Sequence, residues 1–377
     1  MESIFYLSIV IILYTFIAYP LLIALIGKIR AVQFIDNSDD DLPEISIVLC
    51  IYNSRNLLLK RLENILDTDY PLDKLRLIIV SDGSTDQPEE VIKSYHHLLN
   101  IKFIEYAQNR GKSYALNIAF KNVHTDLVAF ADVRQSFNSQ ALTALQAQFA
   151  NENIGAVSGN LHITGDDENI QSEPGLYWLY EKWIRRSESD ADSLIGVTGA
   201  IYMARKSLIP KIPDNCLLDD MYIPLTIIKN GYKIKFIDDA IAYDKSSSSI
   251  TEEFTRKVRT LAGNFQLIHQ LPWLLNPFKN PVFFQFISHK ILRLVIPYAL
   301  ISLLLTSMLS QHIGGKIILF IQLIFYSYSL LALVLTKKNI NLPLGSICVS
   351  FCSLNYAAFL AGWKYYFTST QNLWRKH

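Results

Sequence analysis

The sequence predicts an α/β domain with a mostly parallel sheet, joined at both ends of the chain to membrane-spanning helices. Three observations predict it. Apolar, β-branched runs alternate with helical patterns between residues 44 and 159. Four long stretches contain no Asp, Glu, Lys or Arg. The net charge of only +1 hides a division: Glu2 is the only acid before Asp36, and no acid follows Glu253. Beyond Pro281 stand Lys290, Arg293, Lys316, Lys337, Lys338, Lys364, Arg375 and Lys376, and no acidic residue. Such asymmetry describes two environments in one chain.

The charge-free stretches are residues 3–27, 294–315, 317–336 and 339–363. A helix needs about 20 apolar residues to cross the hydrocarbon, and a charge at its centre costs several kcal/mol. The first three are strong spans; Asn341, Pro343 and Asn355 dilute the fourth. The first is too long for the apolar core of a signal peptide and lacks a basic start and a small-x-small cleavage site, so it reads as an anchor. Lys28 and Arg30 follow it directly, which predicts that this end faces the cytoplasm. The expected organisation is a membrane helix over 1–28, a cytoplasmic domain over 29–280, and a region 281–377. The last holds an interfacial helix and membrane helices near 294–312, 317–336 and 344–363. Four complete spans leave Lys364, Arg375 and Lys376 on the side that basic tails disfavour, a tension within the reading. Cys50, Cys216, Cys348 and Cys352 have no metal-ligand spacing, and a reducing compartment argues against disulfides.

Within the domain, "EISIVLCI" (44–51), "LRLIIV" (75–80), "IKFIEY" (101–106), "LVAFA" (127–131) and "IGAVSG" (154–159) read as strands. Helices are expected near 55–66, 87–99, 112–121 and 139–150. Nearly continuous apolar strands separated by helices imply a parallel sheet covered on both faces. Beyond residue 160, "PGLYWLYEKWIRRSES" (174–189) and "LLDDMYIPLTIIKNG" (217–231) read as helices, and "LIGVTGAIYMA" (194–204) as a strand interrupted at Thr198-Gly199.

In parallel sheets ligands bind beyond the carboxyl ends of the strands, which directs attention to the residues just after each one. Tyr52-Asn53 follow the first strand and "SDGSTD" (81–86) closes the second, where Asp82 sits in a turn-forming sequence. Gly111-Lys112-Ser113 suggests a phosphate loop, but position 106 is Tyr where a Walker motif needs Gly, which disfavours an ATPase of that type. A helix starting near Lys112 still offers free N–H groups and a cation to a phosphate. Asp219-Asp220 either cap the following helix or act as a paired-carboxylate base. Arg256 and Arg259, at i and i+3, either grip a diphosphate or face lipid headgroups.

Taken in order and followed by membrane spans, these residues resemble the processive-type family 2 glycosyltransferases, the group of cellulose, hyaluronan and chitin synthases. The resemblance covers residues ~44 to 310. It implies a GT-A fold, a nucleotide-diphosphate sugar donor (UDP-linked first among the options), inversion at the anomeric carbon, and an integral membrane protein with a cytoplasmic catalytic domain. In a bacterium that membrane is the inner one. By position, Tyr52 and Asn53 resemble the nucleotide-packing motif of the first strand. Asp82 resembles the carboxylate that reads the base, Lys112 the lysine at the nucleotide, and Asp132 the first acid and metal ligand of the DxD motif. Thr198 and Gly199 resemble the acceptor-side strand, and Asp220, paired with Asp219, the general base. Arg256 to Thr260 align with Gln-x-x-Arg-Trp, Arg259 taking the signature arginine's place. The implied partners are the sugar donor, a lipid-linked or oligosaccharide acceptor and membrane lipid, with no nucleic acid; oligomeric state is left open.

The departures are informative. Cys50 and Ser54 replace the Pro and Glu that commonly frame Tyr-Asn, Arg256 replaces the Gln, and Thr260 replaces the Trp that helps hold a growing chain. Loss of that Trp favours addition of one or a few sugars. Arg134 stands where the second DxD acid would bind a divalent cation, Mg or Mn. Either Arg134 offsets diphosphate charge itself, or it points elsewhere, toward Asp86 or Glu181, while Asp132 and the donor phosphates hold the metal. The second is the expectation. A non-catalytic membrane scaffold of GT-A shape, or a transferase acting on a polyprenyl phosphate, are the competing readings.

Overall fold

The computed structural model describes residues 1–30, 42–164, 176–245, 250–336, 338, 340 and 342–367. The chain divides into a helical unit (Met1–Ile26, Glu173–Ser187, Ser247–His377) and a sheet unit (Gly27–Ser172, Glu188–Ser246).

The sheet unit is built on eight strands: β1 (Ile45–Ile51), β2 (Leu75–Asp82), β3 (Ile101–Tyr106), β4 (Leu127–Ala131), β5 (Ser136–Phe137), β6 (Ile154–Thr164), β7 (Ile201–Arg205) and β8 (Lys233–Lys245). Their order is β3-β2-β1-β4-β7-β6-β8-β5. β3, β2, β1 and β4 run parallel, β7 is antiparallel to both neighbours, β6 and β8 are parallel, and β5 is antiparallel to β8. The parallel half follows from composition: Ile45, Ile47, Val48 and Leu49 are buried on both faces of β1, which only a sheet covered on each side allows. The helix Arg55–Leu66 turns Leu58, Leu62 and Ile65 into that core at i, i+4 and i+7.

Of "LIGVTGAIYMA" only the last four residues are strand, the start of Ile201–Arg205. Residues 194–197 instead bond outward, Leu194 N–H to the Ile234 carbonyl and Val197 N–H to the Asp220 carbonyl. The five strands expected before residue 160 form where the apolar runs place them. β8 was not anticipated, because the acid pair Asp238-Asp239 interrupts its apolar pattern.

Among the described residues, four helices are long and apolar enough to cross a membrane: Glu2–Arg30, Phe283–Met308, Ile313–Thr336 and Gly345–Phe367. The segment expected to be a separate interfacial helix, 281–293, runs into the following span as one helical path from Phe283. Arg375 and Lys376 lie outside the described residues. Wide π turns occur at Tyr14–Ala18 and Phe286–Ile291, and a Tyr14–Ser288 hydroxyl pair at 2.8 Å joins them. Tyr180 donates to the Phe16 carbonyl at 2.7 Å. Glu181 is gripped by Arg293 and by His289, the latter at 3.2 Å. Elsewhere in the unit the helix Ile250–Gln270 packs Val258 and Ala262 against Ala357 and Ala361, small residues that let helices approach closely.

Candidate active site

The carboxyl end of the parallel strands carries most of the residues singled out from sequence. At the end of β2, Asp82 is 5% exposed. Its two carboxylate oxygens accept the backbone N–H groups of Arg110 and Gly111, at 2.7 and 2.8 Å. Asp82 therefore fixes the turn that launches the helix Lys112–Phe120, and its carboxylate faces backbone. Gly83, at φ +70°, sits where a Cβ would lie 2.6 Å from Asn109 N, so only glycine lets the 83 and 109 turns close on each other. Beyond β1, Asn53 accepts Thr85 N–H at 2.8 Å and donates its own N–H to Ser84 Oγ at 3.1 Å. Tyr52 beside it is exposed.

The helix so launched carries Lys112 to the acids. Its ammonium lies 3.1 Å from Asp132 Oδ1 and 3.5 Å from Asp219 Oδ2. Burial opposes the charge, but Asp132, Asp219 and, more weakly, Asp220 hold the Lys112 pKa well above its ordinary value. Asp132 and Lys112 keep side-chain exposures of 40% and 36%, so this pair is open to a ligand. Lys112, Asp132, Cys50 and Gly199 line one small cavity. Burial pushes the Cys50 thiol far up, which keeps it protonated and unreactive.

Asp219 and Asp220 begin the helix Asp219–Lys229. Gly199 lies directly against Asp220: a Cβ there would stand 3.3 Å from Asp220 Cβ and 3.4 Å from Oδ2. Thr198 is held by Ser158, its N–H donating to Ser158 Oγ at 2.9 Å, and its hydroxyl donates to the Gly159 carbonyl at 3.0 Å. Lys112, Asp132, Asp219, Asp220 and Gly199 are thus brought together, with Asp82 and Thr198 supporting from behind. Arg256 and Arg259 lie on the helix Ile250–Gln270 and belong to the helical unit.

Arg134 points to neither Asp86 nor Glu181. Its guanidinium pairs with Asp244 on β8. Asp86 instead accepts the Arg55 backbone N–H at 2.7 Å, and Glu181 is taken by Arg293 and His289. Gln135 Nε2 also donates to Asp244, at 2.9 Å. Below the same loop, the buried Arg61 donates to the Gln135 carbonyl at 3.0 Å and lies 3.8 Å over the Phe137 ring. Asp244, Gln135 and Arg61 were not selected from sequence. Arg61 reads there as one more exposed helix residue, and Asp244 closes a strand the pattern does not announce.

Among the described residues no three His, Cys, Asp or Glu side chains gather as a metal site. Of the rim's carboxylates, Asp132 is an open hard-oxygen donor, and its Oδ1 is shared with Lys112. That set fits a divalent cation only if donor phosphates and water supply the other ligands.

Residues 46–212 match the family model described as glycosyl transferase family 2. A poly-β-1,6-N-acetyl-D-glucosamine synthase of Staphylococcus epidermidis is 24% identical over 234 residues, 61% of this chain and 56% of the relative. The synthase of the same name from Staphylococcus aureus strain MSSA476 is 24% identical over 238 residues, 62% of this chain and 57% of that one. The match therefore spans little more than half the length of these curated relatives. A mannosyltransferase from Pyrobaculum calidifontis, solved in complex with GDP-Man and Mn2+, superposes with a TM-score of 0.70 at 19% identity. The superposition covers 97% of this chain and 99% of that one, a likeness of fold. Residues 46–212 thus carry the match to glycosyl transferase family 2, within a GT-A-like, mostly parallel α/β domain, and the described residues add several long apolar helices.

Proposed function

We propose that the enzyme transfers a hexosyl or N-acetylhexosaminyl group, with inversion, from a UDP-sugar to a lipid-linked or saccharide acceptor in cell-envelope or exopolysaccharide synthesis. The sheet unit is proposed to lie in the cytoplasm, where nucleotide sugars are made, in keeping with Lys28 and Arg30 after the first span. One observation carries the reading: Lys112 is held between Asp132 and Asp219, with Asp220 against Gly199, at the carboxyl end of the sheet.

Inversion needs a base that takes the acceptor hydroxyl's proton as the new bond forms to the anomeric carbon. Asp220 is assigned that role, and Gly199, lacking a side chain, leaves the acceptor oxygen an approach to it. Asp219 keeps Lys112 in place. Lys112 faces the departing diphosphate and offsets its growing charge, and being held above its ordinary pKa it keeps its proton throughout. A bound divalent cation, held by Asp132 and the donor phosphates, would add Lewis-acid stabilisation of the leaving group. Asp82 acts on the nucleotide through the Arg110-Gly111 turn, and Tyr52 and Asn53 shape the wall beside it. The relatives named for an N-acetylglucosamine polymer support an N-acetylhexosamine as the first sugar to try.

The test is turnover of the purified full-length protein, in detergent, against a panel of UDP- and GDP-sugars with Mg2+, Mn2+ or excess chelator. Release of nucleoside diphosphate from one donor, abolished in Asp220→Asn, is the expected result. Tight nucleotide binding without release from any donor would select the scaffold reading. Full activity in chelator would remove the metal.

A further inference from the structure

The loop after β4 is clamped from two sides. Ser136 and Phe137 pair with Tyr243 and Ala242 of β8, which brings Arg134 and Gln135 alongside Asp244. Asp244 is 6% exposed, and one of its oxygens accepts from both Arg134 and Gln135. Its other oxygen is buried with no hydrogen-bond partner among the described residues. From the opposite side Asn64 bonds both the N–H and the carbonyl of Phe137, at 2.8 and 2.9 Å, beside the Arg61 contact to Gln135. The Arg134 side chain nevertheless stays 40% exposed, two residues from Asp132. A guanidinium fastened at one edge keeps most of its N–H donors free in a fixed fork, the arrangement that suits phosphate oxygens.

We infer that Asp244 is a positioning residue for donor binding: it holds Arg134 off Asp132 and presents the free edge of the guanidinium to the donor's diphosphate. The inference rests on the nucleotide-sugar reading above and deepens it. It also explains how a cation can occupy the place of a metal-binding acid. With its charge anchored on a buried carboxylate, Arg134 leaves Asp132 to Lys112 and to any metal. A purely structural ion pair would hold β5 to β8 and be indifferent to the number of phosphates on the ligand.

The experiment is a double-mutant cycle on the full-length protein in micelles, with Arg134→Ala, Asp244→Asn and the double variant. Calorimetry at saturating Mn2+ reads the affinity for UDP, GDP, UMP and GMP, and thermal unfolding monitors each fold. Each single variant should weaken diphosphate binding about tenfold and leave monophosphate binding unchanged, and the double should be no weaker than Arg134→Ala. Additive losses, equal losses for mono- and diphosphates, or unchanged diphosphate affinity in Asp244→Asn would each overturn the inference. If Asp244→Asn does not fold, Arg134→Ala decides alone: an unaltered preference for UDP over UMP sinks the idea. A wild-type protein that binds neither UDP nor GDP would overturn the proposed function, and this inference with it. A binding wild type with an additive cycle overturns this inference only.

Discussion

Two charged clusters, one in each unit, invert each other. In the sheet unit one cation, Lys112, answers to Asp132 and Asp219, with Asp220 nearby. In the helical unit one anion, Glu181, answers to Arg293 and His289, with Lys290 nearby. The first is open, its central pair more than a third exposed; the second is mostly closed, Arg293 and Glu181 keeping 17% and 16% of their side-chain surface. The difference supports assigning the chemistry to the open cluster. An open surplus of negative charge has work left for a proton, a metal or a positively charged transition state. A closed cluster whose central charge is already answered has only a framework to hold.

The largest expected effect tests the open cluster. Asp220→Asn removes the proposed base and keeps the shape, so turnover should fall by about 10²–10⁴-fold with the melting temperature unchanged. Initial rates at saturating donor and acceptor read it. Near-normal turnover would pass the role to Asp219 and leave Asp132 as the remaining partner of Lys112. The closed cluster should respond in the opposite currency. Glu181→Gln leaves Arg293 among apolar helices without its carboxylate, which should cost about 3 kcal/mol of stability by chemical unfolding in micelles. Nucleotide affinity should not move, and a variant that kept its stability but lost UDP binding would erase the distinction drawn between the clusters.

The distinction was only half legible in the sequence. β1, β2 and β4 could be read because each is a nearly continuous apolar run whose burial is a local property, and β3 because its apolar residues alternate with Lys102 and Glu105. Lys112, Asp132 and Asp220 could be read because family resemblance fixes their order. The direction of β7 could not, since nothing in "IYMAR" says whether its neighbour runs parallel or antiparallel. Nor could the Arg134–Asp244 pair, which joins residues 110 positions apart through a short β5–β8 ladder. Asp82 shows a subtler limit. Its position at the end of β2 was plain, but the two backbone N–H groups that occupy its carboxylate come from a turn 28 residues on. The buried Arg61 escaped because burial of a charged helix residue is decided by Phe137 and Gln135, far along the chain.

A smaller perturbation sharpens the geometry of the open cluster. In Gly199→Ala the new methyl would meet Asp220 at 3.3–3.4 Å, tight enough to shift the carboxylate by a few tenths of an ångström. A tenfold drop in kcat, about that size, with the donor KM unchanged is expected, because near-attack geometry is sensitive to such shifts. A change in donor KM instead would mean that Gly199 lines the nucleotide rather than the acceptor side.

The smallest expected effect is an absence. Burial works against the Lys112 charge, yet Asp132 and Asp219 hold its pKa above the ordinary lysine value. A base whose folded pKa is raised contributes stability that is complete below its unfolded pKa, about 10.4, and is lost only as pH climbs through the higher folded one. Between about pH 6 and 9 Lys112 therefore adds no slope to stability, and the leaving diphosphate always meets a charged ammonium. Cys50 does add one: burial raises its folded pKa, so the unfolded thiol, near its ordinary value of about 8.5, ionises first and stability falls as pH approaches 9. Rates measured across that window should show no falling alkaline limb from Lys112, and Lys112→Arg should keep the same profile shape. An alkaline limb below about pH 9 that disappears in Lys112→Arg would mean the lysine gives up its proton during turnover. The open cluster would then be relaying a proton as well as holding a charge.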